Sequence, residues 1–386
     1  MSPLVDGRYD VIVVGAGPAG IACSTLLARH DLRVLLLDKA RFPREKICGD
    51  CINPKCWPIF ELLGVASTLR QQGLHVVDSF RLTNSAGVVV RGKILPESDS
   101  PLFSIKRSIL DTLLLENAAR SGARVLEKTT VVDVQWSVGR GVVVRTAGEN
   151  RFLELRADYL VGADGRNSLV AKRILEKGGI PQGRHGERRI SDKRLRVGVQ
   201  WHTHHQPQAG SAVEFFLFAL GYCGIVNVDD RAATVAMVTT PDLARLGQHD
   251  FPRFLEKTLY SNPAARIRFP SLTPPEVLST AYPIHPRLHE NGERRVFLIG
   301  DARQTVEPFT GEGVFFAMQE GVLAAQRILH ARNSPVPFLS QSIHPPSWAN
   351  RFSTLLLSHG RSADLLTVLA SRLPFLVPFV ARTILR

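Results

Sequence analysis

An α/β architecture is predicted: a parallel sheet between helices, a second, antiparallel sheet inserted into it, and a helical tail. Three observations predict it. Residues 9–39 run strand, glycine turn, helix, strand; two later segments, at 159–168 and 295–314, repeat the strand-turn-helix order; and residues 197–238 hold a regular series of short apolar strands with tight turns.

The opening unit sets the rest. Residues 11–14 are a β-branched run of the kind that fills a parallel sheet covered on both faces, and residues 34–37 are a second apolar run about twenty residues on. Between them, Gly15-Ala16-Gly17-Pro18-Ala19-Gly20 fits G-x-G-x-x-G. Gly15 permits the tight turn, Gly17 lets backbone approach a pyrophosphate, and Gly20 lets the helix sit close to the strand. Asp38, ending the second strand, is placed to accept from a ribose hydroxyl. The unit therefore reads as Rossmann-like and dinucleotide-binding, without separating FAD from NAD.

A polar, basic loop follows at 40–51. Its Cys48-x-x-Cys51, with Cys56 behind, admits three readings: a metal site, for which the fourth ligand is missing from the neighbourhood; a dithiol; and cysteines packed beside a cofactor, which is favoured. Residues 80–82 and 88–91 form a hairpin about Asn84 to Gly87 and begin the second sheet. A helix spans 106–122, with Arg107 at its start, Ile109, Leu110, Leu113, Leu114 and Ala118 inward, and Gly122 as its stop. Short strands at 125, 131–134 and 142–144 return to the first sheet. At 159–168, Asp164 and Ser168 are candidate caps and ligand contacts.

From 172 to 196 the chain carries nine Lys or Arg against three acids, which reads as a solvated loop or as a patch for an acidic partner. Residues 197–202, 212–218, 222–228 and 233–238 supply the sheet that roofs a ligand cavity. His202, His204 and His205 sit at the end of its first strand and read as surface rather than metal ligands. Residues 295–302 form the last strand of the nucleotide domain, and 307–314 lead into a helix to about His330, aiming a second helix N-terminus at the same crevice. The expected division is 1–75, 105–175 and 285–331 for the nucleotide domain, 76–104 and 176–284 for the substrate domain, and 332–386 for the tail. The tail's last helix either packs on the body or lies at a membrane interface, with Arg361, Arg372, Arg382 and Arg386 near headgroups.

Composition bounds the function. A chain of 386 residues, 44% apolar and 22% charged, has the make-up of a globular protein of roughly two domains. Its net charge of +13 favours an acidic carrier protein, an anionic membrane surface or a phosphorylated ligand, and nucleic acid is not expected because no recognition motif accompanies the charge. The start MSPLVDGRYD carries no leader pattern, no apolar run reaches membrane-spanning length, and five cysteines make no disulfide framework; a cytoplasmic protein, at most peripheral to a membrane, is expected.

With these residues in place, the chain resembles the flavoprotein superfamily of para-hydroxybenzoate-hydroxylase-type monooxygenases, flavin halogenases and geranylgeranyl reductases over about residues 9–330. Three motifs carry the likeness: GAGPAG at Gly15, GADGRNS at Gly162 and GDARQTVEPFTGEG at Gly300. K-I-C-G-D at Lys46 and P-F-T-G-E-G at Pro308 are most similar to the geranylgeranyl reductase branch. The resemblance implies FAD, with NAD(P)H as electron donor. It places Ala19 at the pyrophosphate and Asp38 at the adenosine ribose. Cys48, Gly49 and Cys51 would lie along the flavin, Arg107 and Val131 at the nucleotide half, Asp301 at the ribityl chain, and Gly313 with Val314 at the ring edge.

The implied activity is reduction or oxidation of carbon-carbon double bonds in a hydrophobic isoprenoid, lipid or carrier-bound substrate; the alternative is hydroxylation of an aromatic or quinone-like ring. Two departures stand out. The reductases' Y-x-W-x-F-P segment is here Tyr222-Cys223-Gly224-Ile225-Val226-Asn227, and the halogenases' W-x-W-x-I-P segment is missing. No acid or base can be assigned; His202, His204, His205, Tyr222 and Glu312 are candidates by proximity to the cavity alone.

Overall fold

The computed structural model describes residues 8–94, 100–137, 141–148, 151–177, 196–203, 210–272, 275, 278–284, 287–288, 295–333, 364, 367–369 and 371–372. Its base is a parallel sheet in the order Arg124–Leu126, Val34–Leu37, Arg8–Val14, Arg151–Gly162 and Val296–Leu298. The long strand Arg151–Gly162 does double duty. Its second half pairs with Val296–Leu298, while its first half starts an antiparallel meander with Gly141–Gly148 and Thr129–Ser137.

Alternation along the opening strand divides the core. Val11 and Val13 point to one face, under the helices Pro18–Arg29, Arg107–Arg120 and Gly313–Ala331. Ile12 and Val14 point to the other, against the meander and the helix Leu169–Lys177. A strand buried on both faces has no polar alternation, which is why it reads as a continuous apolar run.

The second sheet runs Ser279–Ala281, Val197–Thr203, Ala233–Thr239, Gly221–Asn227, Ala212–Phe218, Ser79–Thr83, Val89–Lys93. Its outer face, with Val199, Trp201, Phe216, Cys223, Ile225 and Val235, packs on the helices Pro241–His249, Phe251–Lys257 and Pro263–Arg268. The sheet departs from the antiparallel expectation at one seam: Ser79–Thr83 lies parallel to Ala212–Phe218. These strands come from two separate stretches of chain, and the crossover between them passes through the nucleotide sheet, which a parallel pairing requires.

Two helix details differ from the sequence reading. Ile109 was expected inward and is 44% exposed. The buried stripe instead runs through Leu110, Asp111, Leu114, Leu115 and Ala118, with Asp111 taking a core position as the partner of Arg107. In the tail, Asp364 accepts from the Ser85 amide at 3.0 Å and the Ser85 hydroxyl at 2.5 Å, so this position packs on the hairpin turn of the second sheet. His204, His205, residues 178–195 of the basic segment, Arg361, Arg382 and Arg386 lie outside the described residues. Among the described residues no helix is long and apolar enough to cross a membrane.

Candidate functional site

Two helices meet at the glycine turn. Gly15 has φ +102°, and a Cβ there would meet Ala163 O at 2.3 Å; a Cβ at Gly20 would meet Gly15 O at 2.0 Å. Both glycines are therefore demanded by the protein's own packing. Ala19 sits on the first turn of its helix; a Cβ on Gly300 would lie 3.0 Å from the Ala19 Cβ and 3.6 Å from that of Ala317, and one on Gly321 would meet Ala19 O at 2.2 Å, so the start of Pro18–Arg29 packs across the first half of Gly313–Ala331. No side chain caps either helix. Their first N–H groups and positive dipole ends are thus left for something other than a capping side chain.

A second group of glycines is not explained by protein packing. A Cβ at Gly17 would meet only Lys46 Nζ, at 3.6 Å, and one at Gly49 or Gly313 would meet nothing within 4 Å. The space they leave open is a cradle. Cations crowd it: Arg107 makes a two-pronged pair with Asp111 at 2.8 Å, and Arg44 reaches Asp111 at 3.4 Å and the Ala16 carbonyl at 3.1 Å. No carboxylate among the described residues lies within ion-pair distance of Lys46, whose ammonium is pulled down by burial and by the Arg107 and Arg44 guanidiniums. Open backbone, two helix starts and surplus positive charge fit an anionic dinucleotide.

Asp38 stands at the far end of this cleft. Its carboxylate accepts from the Ala16 amide at 2.7 Å and the Ala40 amide at 2.8 Å, tying the glycine turn to the second strand. Val131, half-buried, is two residues past Thr129, whose amide donates to the Asp38 carbonyl at 2.9 Å. At the other end Asp301, half-buried, faces Arg166 at 3.5 Å. Asp164 is spent locally: it accepts from Ser168 Oγ at 2.6 Å and the Leu169 amide at 2.7 Å, capping the Leu169–Lys177 helix, and burial raises its carboxyl. Val314 is buried, and Gly313 before it is exposed.

The loop at 46–51 is sewn to the second sheet by Asp50. This residue is fully buried at φ +54°, a left-handed conformation that aspartate tolerates better than most. One carboxylate oxygen accepts from the Arg107 amide at 3.2 Å; the other meets Thr234 Oγ1 at 2.6 Å, His202 Nε2 at 2.9 Å and Gln200 Nε2 at 3.3 Å. Gln200 Oε1 in turn accepts from the Cys48 amide at 3.0 Å. His202, read as surface, is thus the partly buried partner of a fully buried carboxylate. Burial raises the thiols of both Cys48 and Cys51, the latter to about 12, and both are free cysteines. Elevated thiols favour packing over thiolate chemistry.

Opposite that loop, residues 307–313 carry two more sequestered acids. Glu307 is fully buried between Arg196, at 2.6 Å, and the Tyr222 hydroxyl, at 2.8 Å; burial and this carboxylate hold the Tyr222 phenol well above its usual range. Glu312, also fully buried, pairs with Lys55 at 3.0 Å. Phe309 lays its ring 4.7 Å from Phe215 and 5.2 Å from Tyr222. Between the two loops, Phe215, Gly224 and Ala236 face one another in register and are partly exposed in the middle of otherwise buried strands. Their partial exposure marks an open face of the sheet, a chamber bounded by the loop at 46–51 on the Gln200 side and by Phe309 on the Phe215 side.

The structure gathers Gly15, Gly17, Ala19, Gly20, Asp38, Cys48, Gly49, Arg107, Asp301, Gly313 and Val314 along one crevice, with Val131 at its Asp38 end and Cys51 where the loop meets the sheet. Sequence reasoning missed Lys46, Asp50, Asp111 and Glu307 as members. The K-I-C-G-D motif held a signal for the first two, but the partners of Asp50 on the second sheet lie 150 or more residues away.

A family model described as "FAD binding domain" matches residues 8–334. Menaquinone reductase of Mycolicibacterium smegmatis is 30% identical over 329 residues, 83% of this chain and 76% of that protein. Digeranylgeranylglycerophospholipid reductase of Methanothrix thermoacetophila is 27% identical over 336 residues, 85% and 79% of the two chains. Conditioned medium factor receptor 1 of Dictyostelium discoideum is 28% identical over 84% of this chain, which spans only 64% of that protein's length. Among solved structures, the myxobacterial chondrochloren halogenase superposes with a TM-score of 0.71 at 21% identity, covering 85% of this chain and 76% of that one. A geranylgeranyl bacteriochlorophyll reductase-like protein of Thermoplasma acidophilum gives 0.64 at 19%, covering 85% and 80%. At such identities the structures speak for the fold alone.

Proposed function

The chain belongs to the FAD-binding-domain family and is an FAD-dependent oxidoreductase, and on that premise we propose that it reduces a carbon-carbon double bond in a neutral, hydrophobic substrate. The observation that carries this reading is the chamber: its floor is Phe215, Gly224 and Ala236, and the acids bordering it, Asp50, Glu307 and Glu312, are each already paired. Such a lining accepts apolar surface and offers no counter-charge to an ionic substrate. Two relatives named as reductases, of menaquinone and of a geranylgeranylated phospholipid, support the same direction.

The residues that would hold FAD follow from the cradle. Gly17 and the first turn of Pro18–Arg29, with Lys46, would take the pyrophosphate; Asp38 and Val131 the adenosine half; Asp301 the ribityl chain; Cys48, Gly49, Gly313 and Val314 the ring. Bound FAD supplies hydride transfer at its N5. The chain itself excludes water with Phe309 and Phe215, fixes the loop at 46–51 through Asp50, and presents the uncapped start of Gly313–Ala331 to negative charge. A reduced nicotinamide, NAD(P)H, is the proposed electron donor, and a lipid or carrier-bound acyl chain is within the substrate class.

The aromatic wall of Phe215 and Phe309 supports a second reading, hydroxylation of an aromatic or quinone-like ring with molecular oxygen. One experiment separates the two. The purified protein should show a flavin spectrum, bleach with NADPH under argon, and recover its colour on adding an unsaturated hydrophobic substrate without oxygen. A colourless protein would refute the cofactor assignment, and oxygen uptake coupled to a hydroxylated product would replace reduction by hydroxylation.

A further inference from the structure

The outer face of the second sheet, across the strands from the chamber, carries a hollow of its own. Phe216 belongs to that face, so Glu214, two residues before it, does too, and the register extends the row through Arg81 to Arg91. The next row is Ala212, Ser79, Lys93. Small side chains beside long ones leave a hollow of about 370 Å³, bordered by Arg268 at the end of the helix Pro263–Arg268. Four cations therefore line it with one carboxylate. Glu214, itself buried, accepts from Arg268 Nε at 3.0 Å and Nη2 at 2.8 Å, and its other oxygen stands 3.9 Å from Arg81 Nε. A second carboxylate, Asp78, lies beside Ser79 and accepts from the hydroxyls of Ser79 at 2.8 Å and Ser211 at 2.6 Å.

Internal packing does not account for this arrangement. Arg81 and Arg91 are directly opposite across an antiparallel pair, where like charges repel. Arg81 Nε is shut off from water and donates to no group among the described residues. Cations on an edge strand keep it from pairing with another chain, and Val89–Lys93 is such an edge. That explains Arg91 and Lys93, but not Arg81 one strand further in, nor Arg268 brought by a helix. We propose that the hollow is a second ligand site and that it binds a phosphate group, a monoester or diphosphate borne by a soluble molecule or by a lipid headgroup. With the Arg268 fork held by Glu214, the positive charge of Arg81, Arg91 and Lys93 is in surplus. A tetrahedral phosphate offers several oxygens to donors arriving from different strands, which a planar carboxylate does not. The site lies on the opposite face of the sheet from the chamber, so it stands apart from the proposed reaction.

The test uses the protein in excess FAD, so that the glycine-turn cradle is filled. Inorganic pyrophosphate is titrated by calorimetry, and the protein is sedimented with phosphatidylcholine vesicles with and without phosphatidic acid. The wild type should bind pyrophosphate. Arg91→Glu, at an exposed position, should fold normally and weaken that binding by about tenfold or more, and Arg81→Gln by a similar factor. Lys172→Glu, the same charge change on an exposed lysine of the helix Leu169–Lys177, should leave it within about twofold. Capture by phosphatidic acid that Arg91→Glu abolishes and Lys172→Glu spares assigns the phosphate to a headgroup; pyrophosphate binding without capture assigns it to a soluble ligand. Neither binding nor capture by the wild type, or equal losses in Arg91→Glu and Lys172→Glu, overturns the site.

Discussion

The nucleotide cleft and the chamber lie side by side but are built by different means. The cleft is made largely of backbone: a glycine turn and two uncapped helix starts, each set by residues a few positions apart. The chamber is made of side-chain pairs between distant segments, such as Asp50 with Thr234 and Tyr222 with Glu307. Where backbone packs on backbone, as at Gly15 and Gly20, no atom can be added, whereas the paired sites tolerate no lost ones.

The largest effect expected from that contrast is at Gly15. Gly15→Ala places a methyl 2.3 Å from Ala163 O at a positive φ and should cost upward of about 3 kcal/mol, read as a fall in the denaturant midpoint. A near-native midpoint would show that the turn is not the rigid part. Next is Asp50→Ala, which strands the buried Thr234 hydroxyl, the Gln200 amide and the Arg107 amide; a loss of roughly 2 to 3 kcal/mol is expected, with Asp50→Asn milder. Equal stability of Asp50→Ala and the wild type would mean that the loop does not need its link to the sheet.

A smaller effect is expected at alkaline pH. Burial holds the Cys51 thiol up at about 12 against an ordinary value of 9.0. A group whose folded value is raised contributes its full stability below the unfolded value, and that contribution drains as pH rises from 9 towards 12, by at most about 1.4 kcal/mol per pH unit. Cys51→Ala should therefore flatten part of the loss of thermal stability between about pH 8 and pH 10.5. An unchanged slope would place that thiol in contact with water. The smallest effect on stability is Gly17→Ala, within about 0.5 kcal/mol because its Cβ meets only Lys46 Nζ. The same variant should lose most of its flavin, read from the ratio of visible to ultraviolet absorbance; full occupancy would remove Gly17 from the cradle.

The same division explains what could be read from the chain. The βαβ unit, the strand before Asp164 and the helix after Gly313 were legible because their signals are local: an apolar run, a glycine at the turn, a helical stripe. Asp50 was not, because its meaning lies in Gln200, His202 and Thr234 on two other strands. His202 looked like surface beside two more histidines, and only the fold sets its Nε2 2.9 Å from a buried carboxylate. The parallel seam between Ser79–Thr83 and Ala212–Phe218 was hidden for a similar reason, since periodicity reports strands but not their partners.

That seam has a consequence for how the molecule is made. The hairpin Ser79–Lys93 emerges from the ribosome about 130 residues before the strand that will cover its inner edge. At ordinary elongation rates the edge waits on the order of ten seconds with its amides and carbonyls unpaired. Arg81, Arg91 and Lys93 are spread along this hairpin, and like charges of this kind keep two such nascent edges from pairing with each other until Ala212–Phe218 arrives.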